Sequence, residues 1–171
     1  MSAAVGAAGA IAFTDIVGFT EFTAEQGDAG ALAVLDRQEQ IVRETLPADA
    51  RVVKELGDGL LLWFPEAEAG LGACLELQER FEGAASDEMP LWVRIGMHWG
   101  CPTPRGDDLI GNDVNLAARI VDMAGPGELL VSEDVRAQVA DGREGVRFEE
   151  LGPVVMKGIP EPVGLFRAWR G

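Results

Sequence analysis

The 171 residues carry 14 Lys+Arg against 29 Asp+Glu and one His, a formal net charge of −15 with a pI near 4.3. So acidic a chain argues against sequence-blind binding to nucleic acid or direct contact with a membrane of anionic lipid, because both need a basic surface. The apolar fraction of 47% and charged fraction of 25% are those of an ordinary globular protein, which argues against disorder, and the length suits one domain.

The first ten residues, Met1 to Ala10, are small, uncharged and unlike a signal peptide. They are expected to be a flexible tail or a stub of a longer protein, with one domain over 11–171. Ile11 to Ile16 reads as a buried strand running into Val17-Gly18. Asp28 is placed to cap a long amphipathic helix, with Leu32, Leu35, Ile41, Val42 and Leu46 on its apolar face and Pro47 as its stop. Arg51 to Leu56 and Leu60 to Phe64 are strands joined through Gly57-Asp58-Gly59, a hairpin signal. Glu66 to Phe81 is a second helix with Leu71, Cys74, Leu75 and Leu77 as its stripe, and Leu91 to Met97 is another strand.

Cys101 to Gly111, with two prolines and adjacent aspartates, is a loop or an edge strand. Val114 to Met123 is a helix stopped by Gly125-Pro126-Gly127. Leu129 to Val131 is a strand, Glu133 to Ala140 a short helix, and Val146 to Leu151 and Leu165 to Trp169 are closing strands. This order fits an α+β or split-βαβ sheet with helices on one face. Cys74 and Cys101 form no disulfide framework and no metal-ligand spacing, so both thiols are expected free in a reducing, cytoplasmic compartment. No apolar run approaches the length of a membrane span.

The candidate chemistry begins with acids at strand ends. Asp15 follows the first strand and Asp58 sits in the hairpin. If those strands are neighbours, the two carboxylates emerge at one edge and suit Mg²⁺, which takes a few oxygens plus substrate phosphates. Equally, Asp15 could cap a helix and Asp58 could simply serve the turn. Asn115 and Arg119 stand at i and i+4 of a helix, an amide and a guanidinium suited to a phosphate or a developing oxyanion. Arg119 could instead pair with Asp122 or Asp113 on the surface. His98, the one histidine, is expected to be structural.

Four segments then carry a resemblance. Phe13-Thr14-Asp15-Ile16-Val17-Gly18-Phe19-Thr20, Lys54-Glu55-Leu56-Gly57-Asp58-Gly59, Gly106 to Arg119, and Met156-Lys157-Gly158-Ile159-Pro160 resemble, in order, the signature segments of class III nucleotide cyclases. The resemblance implies a ferredoxin-like βαββαβ sheet with added elements, active as a head-to-tail homodimer with its sites at the interface. It implies that Asp15 and Asp58, with the carbonyl of Ile16, hold two Mg²⁺ or Mn²⁺ ions per site. Lys54 and Asp108 would read the base and have the identities found in adenylate cyclases. Asn115 and Arg119 would orient the ribose and stabilise the transition state, and Lys157 would hold the terminal phosphates.

The implied reaction converts ATP to 3′,5′-cyclic AMP and pyrophosphate by two-metal, in-line attack of the ribose 3′-OH on the α-phosphate. The alternatives are a guanylate cyclase and a catalytically weak nucleotide-binding homologue. Cys101 stands where some relatives place a phosphate-binding Arg, a gap that the nearby Arg105 could fill. Asp113 adds a negative charge beside the expected phosphate site.

Overall fold

The computed structural model describes residues 6–139 and 145–171. Strand β1 (Gly9–Ile16) leads into helix α1 (Phe19–Thr45), the hairpin β2 (Arg51–Leu56) and β3 (Gly59–Phe64), helix α2 (Ala67–Ala84) and strand β4 (Val93–Gly100). A small hairpin follows, β5 (Thr103–Arg105) and β6 (Asp108–Ile110), then α3 (Asn112–Met123), β7 (Leu129–Ser132), α4 (Glu133–Gln138), β8 (Val146–Val154) and β9 (Val163–Arg170). The main sheet has the order β2-β3-β1-β4-β7-β9-β8, with β4 and β7 parallel and every other neighbouring pair antiparallel. Its first four strands have the ferredoxin-like arrangement, in which β1 lies between β3 and β4.

The first strand starts at Gly9, so two residues of the expected ten-residue tail belong to the sheet, and residues 1–5 lie outside those described. The expected helix end at Ala140 also lies outside them; α4 runs to Gln138. The Cys101–Gly111 segment is the β5–β6 hairpin.

Two expectations change. The helix expected from Asp28 begins at Phe19 and is interrupted at Gly27, whose φ of 75° and ψ of −178° are open to glycine and strained for other residues. Phe19 and Phe22 hold the first segment against the core. Beyond the break the buried face is Ala31, Val34, Gln38, Ile41 and Val42, while Leu32 is 58% exposed. A small Ala and a polar Gln occupy buried positions that an apolar count passes over.

The helices also lie on both faces of the sheet, not one. Ala10 and Ala12 of β1 join Leu71, Leu77 and Phe81 of α2 and Val34 of α1, whereas Ile11 and Phe13 join Val114, Ala117 and Val121 of α3. A strand buried on both faces reads as a continuous apolar run, which is why the Ile11–Ile16 stretch gave no alternation to reveal a second layer. Contact between α3 and the sheet depends on Gly96: a Cβ there would stand 2.3 Å from the backbone nitrogen of Val121.

Candidate active site

The two strand-end acids come together. β1 pairs with β3, and the β2–β3 turn consists of Gly57 and Asp58, with Gly57 at φ 67°. Gly59 brings that turn onto β1, since a Cβ there would meet the Thr14 carbonyl oxygen at 2.4 Å. The Thr14 hydroxyl accepts from the Leu60 N–H at 3.2 Å, and Asp58 Oδ2 accepts from the Ile16 N–H at 3.3 Å. Burial, followed by the charge of Asp15 beside it, pushes the Asp58 carboxyl above its ordinary value. Two carboxylates crowded in this way fit a divalent cation, which relieves their repulsion and accepts hard oxygen donors. Among the described residues there is no group of three or more His, Cys, Asp or Glu side chains able to hold a metal; the donor set here is two carboxylates and the backbone of Ile16.

These residues line an open cavity of about 360 Å³ together with Val17, Gly18, Phe19, Thr20, Glu21, Ala124, Pro126 and Arg94. Arg94, on β4 directly opposite Asp15, donates from Nε at 2.9 Å and from Nη2 at 2.7 Å to Asp15 Oδ2. This arginine was missed by reasoning from sequence, which treated it as one strand residue among several. The available signal was alternation: Val93 and Ile95 are apolar and buried, so the guanidinium between them must leave by the other face. Arg94 is thus a cation at this cavity, whose lining includes neither Cys101 nor Arg105. Arg105 lies in the β5–β6 hairpin, where its charge acts on Asp108.

The other site residues lie outside that cavity. Lys54, on β2, donates from Nζ to Asp108 Oδ2 at 3.0 Å, and Asp108 Oδ1 accepts from the Leu109 N–H at 2.7 Å. The Lys54 contact, with that N–H, holds the Asp108 carboxyl below its ordinary range. Asn115 and Arg119 both lie on α3, one turn apart. Arg119 Nη1 lies 3.8 Å from Asp122 Oδ2, the surface pairing weighed above. Lys157 is exposed in the turn between β8 and β9; Met156 beside it is buried against Ile120 and Ala124 at the α3 side of the sheet.

Asp113 makes two contacts within the protein. Its Oδ2 accepts from the Cys101 N–H at 2.8 Å, and its Oδ1 lies 3.0 Å from Nε2 of the buried His98. These contacts tie the start of α3 to β4, where His98 is buried.

The family profile described as Adenylate and Guanylate cyclase catalytic domain matches residues 6–166. The chain belongs to this family, the class III cyclase domains. It is similar to the pH-sensitive adenylate cyclase of Mycobacterium tuberculosis, with 32% identity over 165 residues covering 94% of this chain and 40% of that protein. It is also similar to an adenylate cyclase of Streptomyces coelicolor, with 31% identity covering 92% of this chain and 42% of that protein. The cyclase domain thus spans about two fifths of the length of these relatives. In fold it is similar to the adenylyl cyclase CyaB of P. aeruginosa, with a TM-score of 0.83 at 21% identity over 96% of this chain and 94% of that one. No helix among the described residues is long and apolar enough to cross a membrane.

Proposed function

We propose that this cyclase domain is an adenylate cyclase, converting ATP to 3′,5′-cyclic AMP and pyrophosphate in a head-to-tail homodimer. The observation that carries the choice of base is the Lys54–Asp108 contact at 3.0 Å. It presents an ammonium donor next to a carboxylate acceptor. Adenine offers the complement, an acceptor at N1 beside a donor at N6; guanine reverses both. Polar groups left unpaired on binding make such a site strongly selective.

Asp15 and Asp58, with the Ile16 carbonyl, are the residues that would hold Mg²⁺ or Mn²⁺. When bound, the ions would lower the pKa of the attacking hydroxyl and neutralise phosphate charge. Arg94, which lines the same cavity, supplies a cation to the polyphosphate. Asn115 orients the ribose so that its 3′-OH lies in line with the α-phosphorus, and Arg119 stabilises the charge that develops there. The O3′–P bond forms as the bond to pyrophosphate breaks, the 3′-OH proton passes to water or to a phosphate oxygen of the substrate, and Lys157 holds the departing phosphates.

The dimer is supported by what the cavity lacks. Its lining contains Asp15, Asp58 and Arg94 but none of Lys54, Asp108, Asn115, Arg119 or Lys157. A second copy of the chain can bring that complementary set to the same nucleotide, giving two equivalent sites about a two-fold axis. The test is incubation with Mn²⁺ and ATP or GTP, with product identified chromatographically, for the unmodified chain and for Lys54→Glu. Cyclic AMP in clear excess, lost on the substitution, is the expected result. Equal rates with both nucleotides refute the base assignment, and nucleotide binding without product refutes catalysis.

A further inference from the structure

Arg94 stands between two anions. Two of its N–H groups converge on Asp15 Oδ2, at 2.9 and 2.7 Å. On its other side Nη1 donates to the backbone carbonyl of Asp122 at 3.3 Å, and Nη2 lies 3.8 Å from Asp122 Oδ1. The second oxygen of Asp122 faces Arg119, so the row Asp15, Arg94, Asp122, Arg119 alternates in charge. We propose that Asp122 is a positioning residue that receives Arg94 when a divalent cation takes Asp15. The inference rests on the reading of Asp15 as a metal ligand.

The argument is one of competition. A cation at Asp15 draws on the same carboxylate lone pairs that now accept from Arg94, and a divalent ion and a guanidinium repel one another. Metal entry therefore displaces Arg94. A guanidinium removed to water loses two charge-assisted hydrogen bonds and leaves the cavity without its cation. Asp122 prevents both losses. Its carbonyl already holds Nη1, so rotation about that contact closes the 3.8 Å gap to Oδ1 while the group stays at the cavity mouth. The side chain of Asp122 is 55% exposed, which leaves it room to reorient at little packing cost. Asp15 and Asp122 are the two carboxylates paired with Arg94 among the described residues.

Asp122→Asn keeps the size of the side chain and the backbone carbonyl but removes the charge that receives Arg94. Mn²⁺ binding to the protein without nucleotide, followed by calorimetry or by the free-ion paramagnetic signal, reads the effect directly. An exposed ion pair converts to roughly two- to fivefold in an equilibrium constant, and Mn²⁺ should bind Asp122→Asn more weakly by that factor. Asp122→Glu should bind as the unmodified protein does. In an Arg94→Gln background, with no guanidinium to receive, Asp122→Asn should change nothing further; this double-mutant cycle isolates the pair. An equal loss in both backgrounds would mean that Asp122 acts only as one more negative charge, and the proposal falls. No loss on Asp122→Asn in the protein that keeps Arg94 overturns it as well. Asp15→Ala is run alongside: if it leaves Mn²⁺ binding intact, the metal assignment itself fails, an outcome separate from a null cycle with Asp15-dependent binding.

Discussion

Asp15→Ala and Arg119→Ala, each inactive alone, locate the active site when they are combined. Asp15 lines the cavity at the end of β1, whereas Arg119 lies on α3, outside that cavity and with Arg94 and Asp122 between it and Asp15. If the site is shared, a mixed dimer has one site lacking both residues and one site with both. Random exchange makes about half of the dimers mixed, and each has one working site of two, so recovery is about a quarter of unmodified activity. Both substitutions fall on partly exposed side chains, so the core is untouched and each variant should fold. The assay is cyclic AMP formation after co-incubation, with exchange verified by an affinity tag on one variant. No gain over the separate variants, with exchange demonstrated, refutes the shared site, since a site built within one chain cannot be restored by mixing.

Asp58→Ala should abolish cyclisation at every Mn²⁺ concentration while leaving the circular dichroism spectrum unchanged, because it removes one of two metal carboxylates from a turn held by Gly57 and Gly59. With a thiol reagent at pH 8, the folded protein should show one fast group, the exposed Cys101. Cys74 is fully buried and its thiol pushed up to about 12, so it should react only on unfolding; two fast thiols would contradict that packing. Phe81→Ala, at a fully buried position of α2, should lower unfolding free energy in urea by about 3–5 kcal/mol.

The parts of the site legible in sequence are those whose chemistry and local geometry coincide. Asp58 stands in a Gly-Asp-Gly turn, and such a turn folds the same way almost wherever it occurs. Asp15 ends an apolar run, so its exit from the sheet is visible from its neighbours. Arg94 was harder to see because its meaning comes from strand order: only when β4 lies against β1 does it face Asp15. The partners of Asp113 were hidden for a related reason. Its charge was weighed against an expected phosphate, while the groups that engage it, His98 and the Cys101 N–H, approach from another strand and its following loop. The second helical layer was hidden because burial on both faces of β1 erases the period on which such a reading depends.

The buried His98 joins fold to site through contacts at both ring nitrogens. Asp113, as a carboxylate, can only accept, so Nε2 of His98 carries the hydrogen that points to Oδ1 at 3.0 Å. Nδ1 lies 2.8 Å from the Ser132 hydroxyl and 3.7 Å from Asp134 Oδ2. The Ser132 oxygen also accepts from the Val135 N–H at 3.3 Å, as the cap of α4. These contacts tie together groups drawn from β4, β7, α3 and α4. The α3 member is Asp113, two residues before Asn115 and in the first turn of the helix that carries Arg119. A helix of twelve residues seated on a glycine of β4 could slide along the sheet if apolar contact alone held it, since such contact is not directional. The His98–Asp113 bond, with the Cys101 N–H on the other carboxylate oxygen, is directional and fixes where that helix begins. The position of Asn115 and Arg119 is therefore set from inside the protein, by a buried histidine of β4.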